Sequence, residues 1–363
     1  MILHAYFARK FLWTFLGIFM IFVVLLTLVD LMDELQDFSE LPFGGVLEIV
    51  LLNLPSANYE MLPLIMILST AALFVRLARS SELVVVRAVG RSALRALIGP
   101  LVVASAVGVI SVTMLNPIVA ASSKRYSDLV KGYRQGGSNV LAISSEGLWL
   151  RQGDLHGQIV IHASRASSDL STLYDTSFIA FTQDGAPLRR INAEEATLGN
   201  GEWLLSNVKL WDLMRGGNPE STALTLATYS VPSALTKEGI IDSFGKPEYI
   251  PLWDLPAFIR QLEKAGFSAR RYSVWFQMEL AKPIFLIALV LVTAAFSMRH
   301  TRLGNTGVSV LTAIMLGFGL YYIRNFAQIL GENGQIPVLL AAWAPPVASL
   351  FLAIGILLHM EDG

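Results

Sequence analysis

The sequence predicts a membrane α-helical protein in which six transmembrane helices, three before and three after, flank an inserted antiparallel β domain. Of the 363 residues, 54% are hydrophobic and only 15% are charged, whereas charged residues make up about 25% of an average soluble domain. Six stretches are apolar over the roughly 20 residues that a helix needs to cross a hydrocarbon core of about 30 Å. Between the third and fourth stretches the pattern changes to short alternating runs separated by turn residues.

The six predicted spans lie at residues 11–30, 55–75, 96–117, 274–297, 308–328 and 337–358. The first span could be mistaken for a signal peptide, because Arg9 and Lys10 precede its apolar run. That run is long, however, and leads into "VDLMDELQDFSE" without a small-residue cleavage site. We therefore expect the first span to remain as an uncleaved anchor.

The orientation follows from the basic residues in the short loops, which concentrate on the cytoplasmic side of a membrane. Basic residues occur at the N-terminus and in the loops after the second and fourth spans, whereas the other side has the acidic 30–40 stretch. Both termini are therefore expected in the cytoplasm, with residues 118–273 outside. Arg270 and Arg271 would break the rule, but long exported domains translocate largely regardless of charge.

The chain divides into four predicted segments: helices one to three with a cytoplasmic helix at 80–91 (1–117), the β domain (118–253), a connecting helix (254–273) and helices four to six (274–363). Runs such as "GQIVIHA" and "EWLLSNVKLWDL" alternate apolar and polar residues, which is typical of strands. Because few strands are available, a sandwich or jelly-roll-like domain is favoured over a closed barrel. Asp254 suits the N-cap of the amphipathic connecting helix, and Gly266 suits its C-terminal stop.

The loop "SSELVVVRAVGRS" after the second span predicts a short cytoplasmic helix. Ser80 or Ser81 suits its N-cap, Glu82 the positive end of its dipole and Gly90 its C-terminal stop. The helix would expose an unusually large apolar surface, formed by Leu83, Val84, Val86 and Val89, beside the basic residue Arg87. It could rest on lipid headgroups, or it could be a coupling helix that docks in a cleft of a cytoplasmic partner.

Residue types that carry catalysis or bind cofactors are sparse in this chain. Zero cysteines exclude disulfides and thiolate metal sites, and Gly245-Lys246 lacks the glycine spacing of a phosphate-binding loop. His156 and His162 lack the spacing of a helical zinc motif. A net charge of −1 gives no indication of nucleic-acid binding. We therefore expect no catalytic residue, no metal site and no cofactor bound by this chain.

Polar residues inside the spans are costly in lipid and usually face protein or a cavity. Glu279 and Lys282 are three residues apart in the fourth span, which predicts an intramembrane ion pair. Arg324 lies toward the outer end of the fifth span among aromatic residues. The residues themselves favour snorkelling of Arg324 to the headgroups within an interfacial aromatic belt.

Several segments resemble one family in order and spacing over nearly the whole chain. They are "SELVVVRAVGRS" after "LPSANYEMLPLIMILSTAALFVRLAR", then "SEGLWLR", "ELAKPIFLIALVLV" and "LGENGQIPVLLAAWAP". Together they are similar to the LptF/LptG family, the permease subunits of the lipopolysaccharide export ABC transporter. The "GLW" strand and the Ser-Glu-Leu-Val sequence favour the LptG branch.

The resemblance implies a Gram-negative inner-membrane permease, not an enzyme, that extracts lipopolysaccharide and passes it to a periplasmic bridge toward the outer membrane. The implied partners are an LptF-like permease, a dimeric LptB ATPase that uses ATP and magnesium, LptC, and an LptA-like bridge joined by β-strand addition. The implied coupling residues are Ser81, Glu82, Leu83, Val84, Val86, Arg87 and Gly90. A mechanotransmission subunit, which acts on a periplasmic partner without carrying lipid itself, stays open as the alternative.

The resemblance also implies a lipid gate formed by the first and fifth helices, in which Arg324 could meet an anionic group of the sugar–lipid instead of snorkelling. The corresponding residues here are Phe15, Phe19, Phe22 and Asp30 in the first helix and Phe318, Tyr321, Tyr322, Arg324 and Phe326 in the fifth. Some relatives carry lysines at the outer end of the first helix, where this chain has acidic residues such as Asp30 and Glu34. Divalent ions could bridge these acids to the head group, the head group could be less phosphorylated, or the partner could supply the cations.

Overall fold

The structure is a computed structural model that describes residues 2–80, 82, 93–134, 140–144, 147–154, 157–167, 171–182, 186–199, 201–214, 218–233, 245–264, 268–298 and 306–362. The chain separates into two compact units. The membrane unit comprises Met1–Tyr126, Glu248–Trp253 and Arg270–Gly363. The β unit comprises Ser127–Pro247 and Asp254–Ala269.

The helices before the β unit are α1 (Ile2–Asp37), α2 (Phe43–Arg79), α3 (Ala93–Ile110) and α4 (Asn116–Arg134), the last two joined by a π-helical turn at Ser111–Leu115. After α5 (Leu255–Lys264) come α6 (Arg270–Ser297), α7 (Thr306–Glu332) and α8 (Val338–Asp362). Within the described residues, six helices are long and apolar enough to cross a membrane. The predicted helical membrane fold with an inserted β domain is thus confirmed.

The helices extend beyond the predicted spans because hydropathy detects only their apolar middle, whereas helical hydrogen bonding continues into polar flanks. The third span, predicted to end at residue 117, continues as helix to Arg134. The connecting segment predicted at 254–273 is two helices, since α5 ends at Lys264 and α6 begins at Arg270. The α5 helix starts as predicted, because the Phe258 amide donates to the Asp254 carbonyl at 3.0 Å. Gly266, its predicted stop, lies outside the described residues.

Helix α6 forms the centre of the membrane unit and contacts α2, α3, α7 and α8. Its side chains are buried around most of the helix, as expected for a helix that is apolar on all sides and enclosed by others. Helix α1 contacts α2 and α3 along one side only. Most of its other side is exposed apolar surface, including Met20, Val24 and Leu28. This face needs lipid or another protein to cover it.

Two glycines let helices of the membrane unit approach each other closely. A Cβ atom on Gly99 in α3 would lie 2.4 Å from the His4 carbonyl oxygen of α1. A Cβ atom on Gly108 would lie 2.7 Å from the Pro283 Cα atom of α6. Small residues at such crossings allow the close backbone contacts on which helix association in membranes depends.

The β unit is one antiparallel sheet of seven described strands: β1 (Val140–Ser144), β2 (Gly147–Asp154), β3 (Gly157–Ala166), β4 (Thr172–Phe181), β5 (Pro187–Leu198), β6 (Glu202–Asp212) and β7 (Leu224–Pro232). Each strand pairs with the next along the chain, in the order β1 to β7. This is a meander, whereas a jelly roll has Greek-key connections. The predicted antiparallel β domain is confirmed, and its described strands follow the order of a meander because short connections favour pairing between sequence neighbours.

The sheet nevertheless curls so that β2 comes within hydrogen-bonding distance of the end of β7. The Gln152 side chain of β2 donates to the Pro232 carbonyl at the end of β7 at 3.1 Å and accepts from Ser233 at 2.8 Å. The enclosed face holds the core of the unit, with Trp203 packed edge-on against Phe178 at 6.2 Å between ring centres. Strands β1 and β7 form the two edges of the described sheet.

Candidate functional site

An apolar cavity of about 200 Å³ lies between α1, α2 and the start of α4. Phe19 and Val23 of α1 line one wall, and residues of α2, of the π-helical turn and of α4 form the others: Leu54, Pro55, Asn58, Tyr59, Leu62, Leu115, Ile118 and Val119. The Asn58 amide nitrogen donates to the Leu54 carbonyl at 2.9 Å, whereas the Asn58 Oδ1 atom is buried without a hydrogen-bond partner. A hydrocarbon chain suits such a wall better than a polar ligand does.

The four candidate gate residues of α1 differ in their surroundings. Phe15 is buried in the helix core and stacks on Phe19, with 6.1 Å between ring centres. Phe19 lines the cavity, and Phe22 is half-buried against the core. Asp30 is half-buried and accepts a hydrogen bond from Asn53 of α2 at 3.0 Å. Phe19 therefore has the placement that suits contact with a bound chain.

The candidate gate residues of α7 lie on two faces. Tyr322 and Phe326 are about two-thirds exposed, at 66% and 62%, and Phe318 and Tyr321 are half-buried. Arg324 is buried, with its guanidinium carbon 5.4 Å from the centre of the Phe285 ring on α6. The Arg324 side chain thus points toward α6. It neither snorkels to the headgroups nor lies exposed on the surface of the helices.

A buried polar cluster of Tyr59, Asn116, Glu279 and Lys282 joins α2, α4 and α6. The Lys282 ammonium lies 3.2 Å from the Glu279 carboxylate, the ion pair that the i, i+3 spacing predicted, and both side chains are buried. Tyr59 donates to the same carboxylate, as does the Asn116 amide at 3.4 Å. The Lys282 ammonium also lies 3.2 Å from the centre of the Tyr59 ring. One carboxylate therefore receives hydrogen bonds from three helices.

Sequence reasoning missed Tyr59 and Asn116 as members of this cluster. Asn116 directly follows the π-helical turn, a feature that often marks functional positions. Its Oδ1 atom accepts from the Leu252 amide at 2.9 Å, so its side chain ties the cluster to the segment Glu248–Trp253. The available signal was that Asn116, a polar residue, ends the apolar run of the third span. No sequence spacing relates Asn116 or Tyr59 to Glu279, because these positions are far apart in the chain.

Glu82 is the one residue of the predicted coupling set that the structure describes. Ser81, Leu83, Val84, Val86, Arg87 and Gly90 lie outside the described residues. The Glu82 carboxylate accepts from the Lys10 ammonium at 2.6 and 2.8 Å and from the Tyr6 hydroxyl at 3.1 Å, both on α1. The Ser80 hydroxyl adds a bond at 3.0 Å. Partial burial opposes the charge, but the hydrogen bonds from Lys10, Ser80 and Tyr6 hold the pKa of Glu82 below its usual range.

Acidic residues at the C-terminal end of α1 take part in packing between helices. Asp30 accepts from Asn53, and Glu34 accepts from the Tyr126 hydroxyl of α4 at 2.7 Å. Across the described part of the chain, no group of three or more His, Cys, Asp or Glu residues could hold a metal ion. Two acids of this stretch therefore bind neutral donors on neighbouring helices.

Comparison with known proteins covers almost the whole chain. The sequence model of the family described as "Lipopolysaccharide export system permease LptF/LptG" matches residues 5–359. A Haemophilus influenzae protein named "Lipopolysaccharide export system permease protein LptG" is 22% identical over 317 residues, which cover 86% of this chain and 85% of that protein. An Escherichia coli protein of the same name is 21% identical over 364 residues, covering 99% of this chain and 98% of that protein.

Proposed function

Because this chain belongs to the LptF/LptG family of lipopolysaccharide export system permeases, we propose that it acts as the LptG-type permease subunit that moves lipopolysaccharide out of the inner membrane. It is a multi-pass transport subunit and not an enzyme. The observation that carries the function is the family match over residues 5–359, since it includes both sets of helices and the β unit. The shared feature is therefore the whole architecture and not one common module.

The membrane unit supports a lipid path along α1. This helix has an uncovered apolar face, and Phe19 on the same helix lines the apolar cavity beside α2. Tyr322 and Phe326 make an uncovered aromatic face on α7. In the proposed complex these faces meet lipopolysaccharide and the LptF-like permease. The remaining residues of the proposed gate are Phe15, Phe22, Asp30, Phe318, Tyr321 and Arg324. Arg324 would act from its buried position against α6.

The energy for transport is proposed to come from a dimeric LptB ATPase, which would use ATP and magnesium while this chain binds neither. Glu82 is the proposed contact, and its ties to Tyr6 and Lys10 connect it directly to α1. Phe19 lies nine residues after Lys10, or about 14 Å along the helix axis. Displacement of Glu82 by the ATPase would therefore pull on the helix that lines the cavity.

In the proposed topology both termini are cytoplasmic and the β unit is periplasmic. The basic residues at the N-terminus and in the loops after the second and fourth spans support this orientation. The edge strands β1 and β7 offer backbone groups for strand addition. They would join the β unit to LptC and to an LptA-like bridge, so that lipid passes along a continuous sheet.

The coupling proposal is tested in proteoliposomes that contain the assembled complex, by comparing Glu82→Ala with Glu48→Ala. Glu48 is a matched control, because its ion pair with Arg125 is longer, at 3.7 Å, and more exposed. We expect Glu82→Ala to assemble and to lose ATP-driven release of lipopolysaccharide, while Glu48→Ala keeps it. Normal assembly with unchanged release in Glu82→Ala would show that the ATPase contact lies elsewhere.

Cross-linking separates lipid transport from mechanotransmission. A photoreactive residue at Phe19 should capture lipopolysaccharide in an ATP-dependent manner, whereas one at Phe11, fully buried in the same helix, should not. Release of lipopolysaccharide without capture at either Phe19 or Tyr322 would favour a subunit that acts on a periplasmic partner without carrying lipid.

A further inference from the structure

A second cavity, about 530 Å³ in volume, opens between α1 and α2 near the N-terminus of the chain. We name it the α1–α2 groove and define it by the residues that line it: Tyr6, Arg9, Lys10, Trp13, Thr14, Gly17, Ile18, Ile21, Leu73, Arg76 and Leu77. It is separate from the apolar cavity, since the two share no lining residue. The transport steps proposed above place no ligand in this groove, although two of its lining residues, Tyr6 and Lys10, also bind Glu82.

The groove has a cationic head and an apolar floor. Arg9 and Lys10 of α1 and Arg76 of α2 line the same cavity. Ile21 lies twelve residues after Arg9, or about 18 Å further along the helix axis, so the apolar floor extends into the span. Gly17 lies between the two ends, and a Cβ atom there would meet nothing within 4 Å. This division matches the charged head and the hydrocarbon chains of a phospholipid.

The positive charge at the head is largely uncompensated. No acidic residue occurs between residues 2 and 29 or between 61 and 80 of the sequence. Glu82 pairs with Lys10, whereas no ion pair joins Arg9 or Arg76 to another residue that the structure describes. Among the side chains that the structure describes, three cations against one carboxylate leave two positive charges available to an anion.

We propose that the α1–α2 groove binds an anionic phospholipid of the cytoplasmic leaflet, with its phosphate at Arg9 and Arg76 and an acyl chain along Gly17 and Ile21. The leaflet assignment rests on the proposed topology. Basic pockets between transmembrane helices on the cytoplasmic side have the charge that anionic headgroups need. Trp13, which is 65% exposed at the groove, has the amphipathic ring that is enriched at headgroup level.

The apolar floor favours a lipid over a free anion. Gly17, Ile18 and Ile21 belong to the apolar helix Leu3–Asp37 that is able to span the membrane, and a small anion would make no use of them. The uncompensated charge likewise favours an anionic over a zwitterionic head. Lys10 lines the groove and also binds Glu82, so the proposed lipid site lies next to the proposed coupling carboxylate.

The test measures lipid binding to the purified complex in detergent by native mass spectrometry, with phosphatidylglycerol, phosphatidylcholine and inorganic phosphate as separate probes. Neither ATP nor lipopolysaccharide is present, so the outcome does not depend on transport. We expect binding of phosphatidylglycerol and a loss of about 30-fold in affinity in Arg9→Gln/Arg76→Gln, since each cation near an anionic surface contributes about five-fold. Arg79→Gln is the matched control, because Arg79 lies in the same last turn of α2 but does not line the groove.

A second variant tests the floor without touching the charges. Gly17→Leu should fill the floor and weaken phosphatidylglycerol binding by several-fold. If the double variant does not assemble, photoreactive phosphatidylglycerol on the unmodified complex gives the answer, with labelling expected between Trp13 and Ile21. Equal binding of phosphatidylcholine, unchanged binding in the double variant, or labelling only elsewhere would overturn the proposal. Binding of inorganic phosphate as tight as that of the lipid, unaffected by Gly17→Leu, would identify a site for a free anion instead.

Discussion

Replacing Glu279 with glutamine should destabilise the membrane unit strongly, because the change leaves the buried Lys282 ammonium without its ion-pair partner. Only 1% of Glu279 and 6% of Lys282 is exposed, so water cannot replace the lost partner. Removing one member of a buried ion pair costs about 3–5 kcal/mol. Glutamine keeps one acceptor oxygen for Tyr59 or Asn116, which now bond to the carboxylate. We therefore expect a loss of about 3 kcal/mol, at the lower end of that range.

Two further variants show whether the cost comes from the unpaired charge. Glu279→Gln combined with Lys282→Met removes both charges and should recover about 2 kcal/mol, because replacing a whole buried pair is often nearly neutral. Glu48→Gln breaks an ion pair whose side chains are 50% and 71% exposed. That control should cost less than about 1 kcal/mol, since exposed pairs contribute little.

The measurement is reversible unfolding of the full chain in mixed detergent micelles, followed by the loss of helical circular dichroism with increasing denaturant. Glu279→Gln, Lys282→Met, the variant that combines them and the unmodified chain give the four free energies of unfolding for a double-mutant cycle. A cost below about 1 kcal/mol for Glu279→Gln, or a double variant as unstable as the sum of its parts, would refute the reasoning. Either result would mean that the pair is solvated in the membrane unit.

Gly99→Ala should weaken the contact between α1 and α3 by about 1–3 kcal/mol, as overpacking does, because its Cβ atom would lie 2.4 Å from the His4 carbonyl oxygen. Gly355→Ala, where nothing lies within 4 Å, should be neutral or slightly stabilising, and equal melting temperatures of the two variants would contradict the packing. Hydrogen bonds and the Lys10 charge outweigh partial burial and lower the pKa of Glu82 from its ordinary 4.5. The ionised carboxylate therefore stabilises the fold above pH 4.5, and this stabilisation is lost as the pH falls through the lowered pKa. The stabilities of Glu82→Gln and the unmodified chain should differ by less than about 1 kcal/mol at pH 6. The two should converge once the pH falls below the lowered pKa, and a difference that grows on acidification would contradict the sign.

The six spans could be predicted because hydropathy is a local sum over consecutive residues. The ends of the helices could not be predicted in this way, because a helix can continue into polar residues where hydropathy falls. Helix α1, predicted at 11–30, runs over Ile2–Asp37. The antiparallel strands were equally visible as alternating runs. Their order was not, since "GQIVIHA" and its neighbours alternate in the same way whether the chain forms a meander or a Greek key. The hydrogen bonds of Gln152 with Pro232 and Ser233, which show the curl of the sheet, join residues 80 or more positions apart.

The sequence by itself determined the fold class, the family and the Glu279–Lys282 pair, because these depend on composition, on motif order and on a spacing of one helical turn. Only the tertiary structure decided that Tyr59 and Asn116 complete that pair, that Arg324 points toward α6, and that Lys10 reaches Glu82. The physical reason is rotation about the helix axis. When a whole span is apolar, hydrophobicity favours no face of the helix, and its rotation is set by packing against neighbouring helices and by polar anchors.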